Sequence, residues 1–380
     1  MQPLSSTMYF DRGATRTWGG RQSGRCSEVI LGHYQDIVNE RRLSWTEHHR
    51  FLKRLGAGGQ GIVYLSERRG TDGFTLPVAI KIFSPEHYES DQSYDAAMAR
   101  IAKVAARVAQ IQQDNLLDVH NWLDRHRIRM MEMEWVDGYD LRFLLMDRML
   151  DWLQSRVSAK RWKHVTNVIV TPGPRQPRIK PGVAIFIIRN CLAALSALHR
   201  EGIIHGDIKP SNIMLKRTGN AKIIDVGSAF EVDCPPPLRT CTPTYAAPEV
   251  LEGQIATPRS DLTSLGYVLI ELLSGQQPFS AHNSYPELLE EKRFLAQRLP
   301  SLLQDDIVRY ERLMGFCRKL LAPDPEKRFP SAEAAELSPD GAAVIQQELV
   351  IGKLASEYDN EIRLWLAEMD GFASKKDAGG

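Results

Sequence analysis

The chain has 380 residues, 43% of them apolar and 25% charged, with a formal net charge of +1. That length suits one large two-lobed domain with flanks, or two modest domains, and the composition is that of an ordinary soluble globular protein. The near-zero net charge excludes a global field drawing the chain to nucleic acid or membrane, so any electrostatic partner must be sought in local clusters.

Five cysteines (Cys26, Cys191, Cys234, Cys241 and Cys317) are few, odd in number and widely scattered. No two have the two-residue spacing of a zinc or redox motif, which points to free thiols in a reducing cytosol. Apolar runs such as 183–188 are too short to cross a bilayer. The N-terminal MQPLSSTMYFDRG lacks the basic start and apolar stretch of a secretory signal. A cytoplasmic chain with no membrane partner is expected.

Residues 1–27 are rich in Gly, Ser, Thr and Arg without apolar periodicity, which predicts a flexible leader. An N-terminal extension, 28–49, carries a short helix over 31–42. From residue 50 the texture changes to FLKRL, GIVYLSER and LPVAIKIFS. Val, Ile, Tyr and Phe between glycine breakers are what an antiparallel sheet needs. The Ala-rich stretch that follows has Ile101, Val104, Val108 and Ile111 at helical spacing. Strand-like segments at 117–123 and 128–135 complete a first lobe over 50–135.

Beyond Asp137-Gly138 the pattern is mainly helical, with helices expected at 141–153, 185–199, 261–273 and 302–321; this second lobe covers 136–338. Within it, a basic insertion at 154–182 holds Arg156, Lys160, Arg161, Lys163, Arg175, Arg178 and Lys180, with no acidic residue between Asp151 and Glu201. Its Pro- and Gly-rich second half predicts an exposed loop. The insertion reads as a solvated face, with docking of an acidic protein as the alternative and nucleic acid the lesser candidate; its single aromatic, Trp162, could stack on a base but does not decide the matter. Residues 339–380 form a C-terminal helical extension. Its Val344, Ile345, Leu349, Leu354, Ile362, Leu364, Trp365 and Leu366 predict packing on the chain's own lobe rather than on a partner.

Residues 55–65 read LGAGGQGIVYL, with Gly56, Gly58 and Gly61 in GxGxxG spacing and Val63 two residues on. Glycines let backbone approach phosphates closely and aim N–H groups at them, although dinucleotide folds share the spacing and many glycine hairpins hold nothing. Here the glycines lie between two strands, and Val78-Ala79-Ile80-Lys81 follows twenty residues after Gly61. A lysine ending a strand usually snorkels to solvent. At this distance from the loop it can instead neutralise α- and β-phosphates.

The segment IHGDIKPSNIML, 204–215, carries the most specific signal. Phosphoryl transfer to a hydroxyl needs a carboxylate to orient the acceptor, a cation near the moving group, and metal ligands. Asp207, Lys209 and Asn212 supply these within six residues, whereas the bland reading is a polar turn. Asp225, at the end of a short strand and before Val226-Gly227, suits a magnesium-binding carboxylate or, read alone, a hairpin end. His205 reads as a packing anchor of this loop rather than a base.

With these motifs in order over about 50–335, the chain resembles the eukaryotic-type (Hanks-type) serine/threonine protein kinase superfamily. Ala247-Pro248-Glu249 is similar to the end of an activation segment, and Asp261 to the buried Asp that holds the catalytic-loop backbone. Arg328, after Asp324-Pro325, is similar to the Arg that pairs with that Glu. The resemblance implies an α+β bilobal fold with an antiparallel-sheet N-lobe, a mainly helical C-lobe, and ATP between them. It implies ATP and Mg2+ as cofactors and a protein as substrate. It assigns Lys81, Asp207 and Lys209 to catalysis, and Asn212 and Asp225 to the metal. Gly56, Gly58, Gly61, Val63, Ala79, Lys81, Met133, Glu134, Val136 and Met214 would line the nucleotide, with Met133 the bulky residue behind adenine. Lys209, and Thr242 in CTPTYAAPE, resemble the serine/threonine rather than the tyrosine branch.

Three departures stand out. No Glu occurs between Glu89 and Glu132, and Val104 falls where the family carries the helix Glu that pairs with the lysine; Asp95 is the nearest substitute. That departure keeps a pseudokinase scaffold as the alternative function. Gly206 replaces the catalytic-loop Arg that ordinarily receives an activation-segment phosphate, so phosphorylation of Thr240, Thr242 or Thr244 would lack that partner. Val226 replaces a Phe, a smaller plug beneath the helix.

Overall fold

A computed structural model describes residues 16–18, 26–40, 42–44, 48–236, 239–279, 284–349 and 358–370. Two lobes are present, as the α+β expectation requires. The first is built on a six-stranded antiparallel sheet in the order Arg42–Ser44, His48–Gly58, Gly61–Arg69, Thr75–Phe83, Ile128–Glu134, Val119–Arg125. Strand Thr75–Phe83 lies in its middle, with Ala79 opposite Met133 and Lys81 opposite Met131 and Val63. Its β-branched and aromatic residues from Val78 to Phe83 are almost fully buried, and Lys81 lies buried among them near the strand's end.

Helix Asp91–Val108 covers one face of this sheet and opens on a capping box between Ser90 and Ser93. Tyr94, Met98, Val104, Ala105 and Val108 are its buried stripe. The preceding helix, Glu28–Glu40, starts and ends slightly ahead of the expected 31–42, and buries Ile30, Tyr34 and Ile37.

The second lobe is arranged around helix Pro181–Arg200, which buries twelve of its residues, and helix Pro258–Ser274, buried over almost its whole length. By length and composition alone, Pro181–Arg200 could cross a bilayer, contrary to the expectation that no segment could. Here it is the core helix of the lobe, with 67% of its apolar window buried inside the protein. Two predicted helices are broken. The 141–153 pattern divides into Leu141–Leu144 and Arg148–Gln154, and the 302–321 pattern into Asp305–Val308 and Glu311–Leu320. In each case apolar spacing continues through a turn that re-aims the chain, so periodicity alone overestimates length.

The basic insertion is not an exposed loop. Helix Ala159–Val168 is followed by a two-stranded hairpin, Val170–Thr171 with Arg178–Ile179, whose Val170, Arg178 and Ile179 are buried. Gln176 and Arg175 donate their backbone N–H groups to the Gly275 carbonyl, so the turn chemistry serves packing rather than solvent. Trp162 packs against the core.

The C-terminal helices Ala342–Leu349 and Tyr358–Glu368 lie on the chain's own lobe, with Trp365 fully buried. Arg161 of the insertion bonds Glu361 and Glu368. Leu354 and most of the 1–27 leader are outside the described residues. Arg16–Trp18 of that leader pairs antiparallel with Arg239–Cys241. Among the described residues every cysteine is free, and only Cys234 is exposed.

Candidate active site

The glycine hairpin turns tightly because Gly58 pairs with Gly61 across Gly59-Gln60, while Gly56 pairs with Val63. Gly61 is obligatory: its φ is +140°, and a Cβ there would stand 1.9 Å from the Ile82 carbonyl oxygen. The tip is fixed on strand Thr75–Phe83 by the Ser84 N–H, which donates to the Gln60 carbonyl at 3.0 Å.

Lys81 is buried beneath this hairpin. Its ammonium donates to Asp225 Oδ1 at 2.6 Å and to Gln60 Oε1 at 2.7 Å. Burial alone would raise the Asp225 carboxyl, but the adjacent Lys81 ammonium and the Gly227 N–H outweigh it and hold it at about 2. The Asp225 backbone sits at φ +66°, a conformation that Asp tolerates better than most residues and that turns its carboxylate back toward the lysine.

Asp95 does not pair with Lys81. Its carboxylate is taken by Arg127 at 2.6 Å and Arg129 at 3.2 Å.

The candidate residues of the 204–215 loop converge. Lys209 Nζ lies 2.8 Å from Asp207 Oδ2 and donates to Thr242 Oγ1 at 2.9 Å; Thr242 in turn donates to Asp207 Oδ1 at 2.7 Å. Asn212 Nδ2 donates to the Asp207 carbonyl at 2.8 Å and to Oδ2 at 3.2 Å. Ile224 N–H donates to the Asn212 carbonyl at 2.8 Å, which binds the strand before Asp225 to this loop.

The loop is held from below by Asp261. Its carboxylate accepts the N–H groups of His205 and Gly206, each at 2.9 Å, and lies 2.9 Å from His199 Nε2. Burial raises the Asp261 carboxyl, but His199 and these donors reverse the shift and keep it low. His205 is fully buried with Nδ1 accepting the Asp207 N–H at 3.3 Å, a positioning contact rather than a proton-transfer one. Gly206 has φ +75°, a conformation glycine adopts at no cost.

Ala79, Met133 and Val136 are buried where the sheet meets the second lobe, and Met214 pairs with Asp140 and Lys222 on the floor strand. The side chain of Glu134 is engaged by Lys222, which leaves backbone groups of that segment as the ligand-facing ones.

The donors suit a hard divalent cation. Asp225 is ionised at neutral pH, and Asn212, whose amide nitrogen is turned to Asp207, keeps its amide oxygen for a ligand.

Beside the site, Glu249 forms a bidentate pair with Arg328 at 2.7 and 2.8 Å, and Ser260 donates to it at 2.7 Å. Lys292, fully buried, donates to the Thr244 carbonyl at 2.7 Å, and Tyr245 donates to Glu271 at 2.5 Å. Sequence reasoning missed Gln60, Ser228, Glu271 and Lys292. The one available signal was the Glu-free span from 90 to 131, which leaves Lys81 in need of another acceptor.

The family model described as "Protein kinase domain" matches residues 49–338. Among curated proteins, the chain is similar to the serine/threonine-protein kinase PrkC of Bacillus subtilis, 27% identical over 76% of this chain and 39% of that protein. It is also similar to the serine/threonine-protein kinase PknD of Mycobacterium tuberculosis, 30% identical over 75% of this chain and 38% of that protein. The serine/threonine-protein kinase PknL of the same organism is 28% identical over 61% of this chain and 50% of its own length. The matched region thus spans half or less of each of these relatives.

Proposed function

The chain belongs to the protein kinase domain family, and on that premise we propose that it transfers the γ-phosphoryl group of ATP to serine and threonine hydroxyls of a protein substrate. The observation that carries this reading is the convergence on one loop: Asp207, Lys209 and Asn212 within hydrogen-bond reach of one another, tied by backbone to the strand that presents Asp225.

Asp207 accepts from an aliphatic hydroxyl, that of Thr242, at 2.7 Å, which is the contact it must make with an acceptor serine or threonine. Lys209, beside it, would offset charge on the phosphoryl group in transit. Lys81 would hold the α- and β-phosphates beneath the N–H groups of the hairpin Gly56, Gly58 and Gly61. The backbone of Glu134 and Val136 would hold adenine, against Val63, Ala79, Met133 and Met214. Asn212 and Asp225 would bind Mg2+, which neutralises phosphate charge and orients the triphosphate.

Gly206 leaves the loop without an arginine for an activation-segment phosphate, and Thr242 is buried in the catalytic network. Activity independent of activation-segment phosphorylation follows. A Thr240→Ala/Thr244→Ala double variant should keep near-parental activity, and loss of all activity would refute this point. On the insertion, Arg161 is committed to Glu361 and Glu368, so an acidic partner would engage the exposed Lys160 and Lys163.

The deciding experiment incubates the full chain with labelled ATP, Mg2+ and a generic protein substrate, against Asp207→Asn. Transfer to serine or threonine that vanishes in the variant supports the proposal. Nucleotide binding without transfer, or no nucleotide binding at all, leaves only the scaffold reading.

A further inference from the structure

The strongest unexplained contact in the cleft is made by a residue of the glycine hairpin that no motif singles out. Gln60 is pinned through its backbone by Ser84 and reaches down with its side chain. Its Oε1 accepts from Lys81 Nζ at 2.7 Å and its Nε2 donates to Ser228 Oγ at 2.8 Å. The amide orientation follows from chemistry, because an ammonium only donates and must face the oxygen, while the hydroxyl can accept from the nitrogen. Gly227 leaves room for this bridge: a Cβ there would stand 2.4 Å from Gln60 Oε1 and 2.7 Å from Lys81 Nζ.

The helix that normally supplies the lysine's carboxylate cannot do so here. Asp91–Val108 contains no Glu, Val104 occupies the aligned position, and Asp95 is held by Arg127 and Arg129. Glu132, on the neighbouring strand, is fully buried against Arg68. A lysine with Asp225 as its one anion would follow that carboxylate once the carboxylate turned to a metal. Gln60 supplies a second acceptor for the ammonium, on a different element.

We propose that Gln60 is the positioning residue for Lys81, replacing the missing helix carboxylate and clasping the glycine hairpin to the metal-binding segment through Ser228. The inference rests on the ATP-site reading of the cleft. It adds that hairpin closure and lysine placement are one event, since the same amide makes both contacts. The clasp touches no part of the adenosine site.

Calorimetric titration of the full chain with ATP and, separately, with adenosine tests it. Gln60→Ala should weaken ATP binding by about ten-fold, the scale of one hydrogen bond to a charged group, and leave adenosine affinity unchanged. Gln60→Glu, which keeps an acceptor at the same reach, should hold ATP affinity within about three-fold of the parent. Ser228→Ala should act in the same direction as Gln60→Ala but less, and the double variant should be no worse than Gln60→Ala. The proposal is overturned if Gln60→Ala binds ATP as tightly as the parent or more tightly, since the clasp would then be idle or an obstruction. It is also overturned if ATP and adenosine weaken together, or if Gln60→Glu is as defective as Gln60→Ala. A parent chain that binds neither ligand removes the ATP-site reading itself. A parent that binds and phosphorylates while Gln60→Ala is unaffected removes only the clasp.

Discussion

Thr242 donates its hydroxyl proton to Asp207 at 2.7 Å and accepts from Lys209 at 2.9 Å, with its side chain almost wholly buried. This places a residue of the segment before Ala247-Pro248-Glu249 inside the proposed catalytic network, so the segment's position and the alignment of Asp207 are one property. Thr242→Ala should lower kcat/KM for a protein substrate by about 10²-fold, the cost of a small misplacement at the reacting centre. Thr242→Ser, which keeps the hydroxyl, should retain most of the activity. Steady-state rates on the two variants decide it, and an equally damaged Ser variant would show that the methyl packing matters instead.

Arg328 and Glu249 form a buried bidentate pair, and burial pushes the Glu249 carboxyl up while Arg328 pulls it lower still, with a net fall. Arg328→Met strands a buried carboxylate and should cost about 3–5 kcal/mol, read as a shift in denaturation midpoint. The sign with pH follows from the lowered folded value. The pair's contribution is complete above the unfolded Glu value of about 4.3 and is lost as pH falls through the folded one. The gap between parent and variant should therefore narrow in acid.

How far the sequence spoke can be judged from particular residues. The meeting of Asp207, Lys209 and Asn212 was legible because they lie within six residues, and a short loop leaves them little choice. Asp261, Glu249 and Arg328 were legible only through family resemblance, since nothing in their spacing says that His205, Gly206 and Ser260 will be their partners. The partner of Lys81 was not legible. Asp95 was the nearest acid in sequence, yet the helix turns it toward Arg127 and Arg129, and the acceptor proved to be a neutral amide on the hairpin. The 171–182 stretch misled for a related reason. Pro and Gly report a turn, but not whether a neighbour such as Gly275 will pack against it.

Glu271 accepts from Tyr245 at 2.5 Å and from Gln176 at 3.1 Å, which joins the basic insertion to the segment before Ala247-Pro248-Glu249. Burial raises its carboxyl above the ordinary range. A raised folded value means that this site's contribution is full below the unfolded value and declines as pH rises toward the folded one. Glu271→Gln keeps both hydrogen-bond partners without a titrating group. Its melting temperature relative to the parent should improve between about pH 5 and 8 and lose that advantage near pH 4. Parallel thermal melts across that range provide the check; a constant offset would exclude titration of Glu271 as the cause.

Lys292 has its ammonium 4.0 Å from the Tyr267 ring and 4.2 Å from the Phe279 ring, and it holds the Thr244 carbonyl at 2.7 Å. Burial pushes this ammonium well below its ordinary range. The unfolded chain therefore binds the proton more readily, and parent stability should rise with pH up to the unfolded lysine value of about 10.4. Lys292→Met fills a similar volume, so its stability at neutral pH should change by less than about 1.5 kcal/mol and should lack that slope. Its effect on function is different in kind. Thr244 lies in the segment before Ala247-Pro248-Glu249, which under the proposed function would receive the protein substrate, and freeing its carbonyl should raise KM for that substrate. KM for ATP should stay where it was, because Lys292 contacts no residue of the nucleotide site. Kinetics varying each substrate in turn separate the two, and a rise in both KM values would mean that Lys292 supports the lobe as a whole rather than the peptide platform.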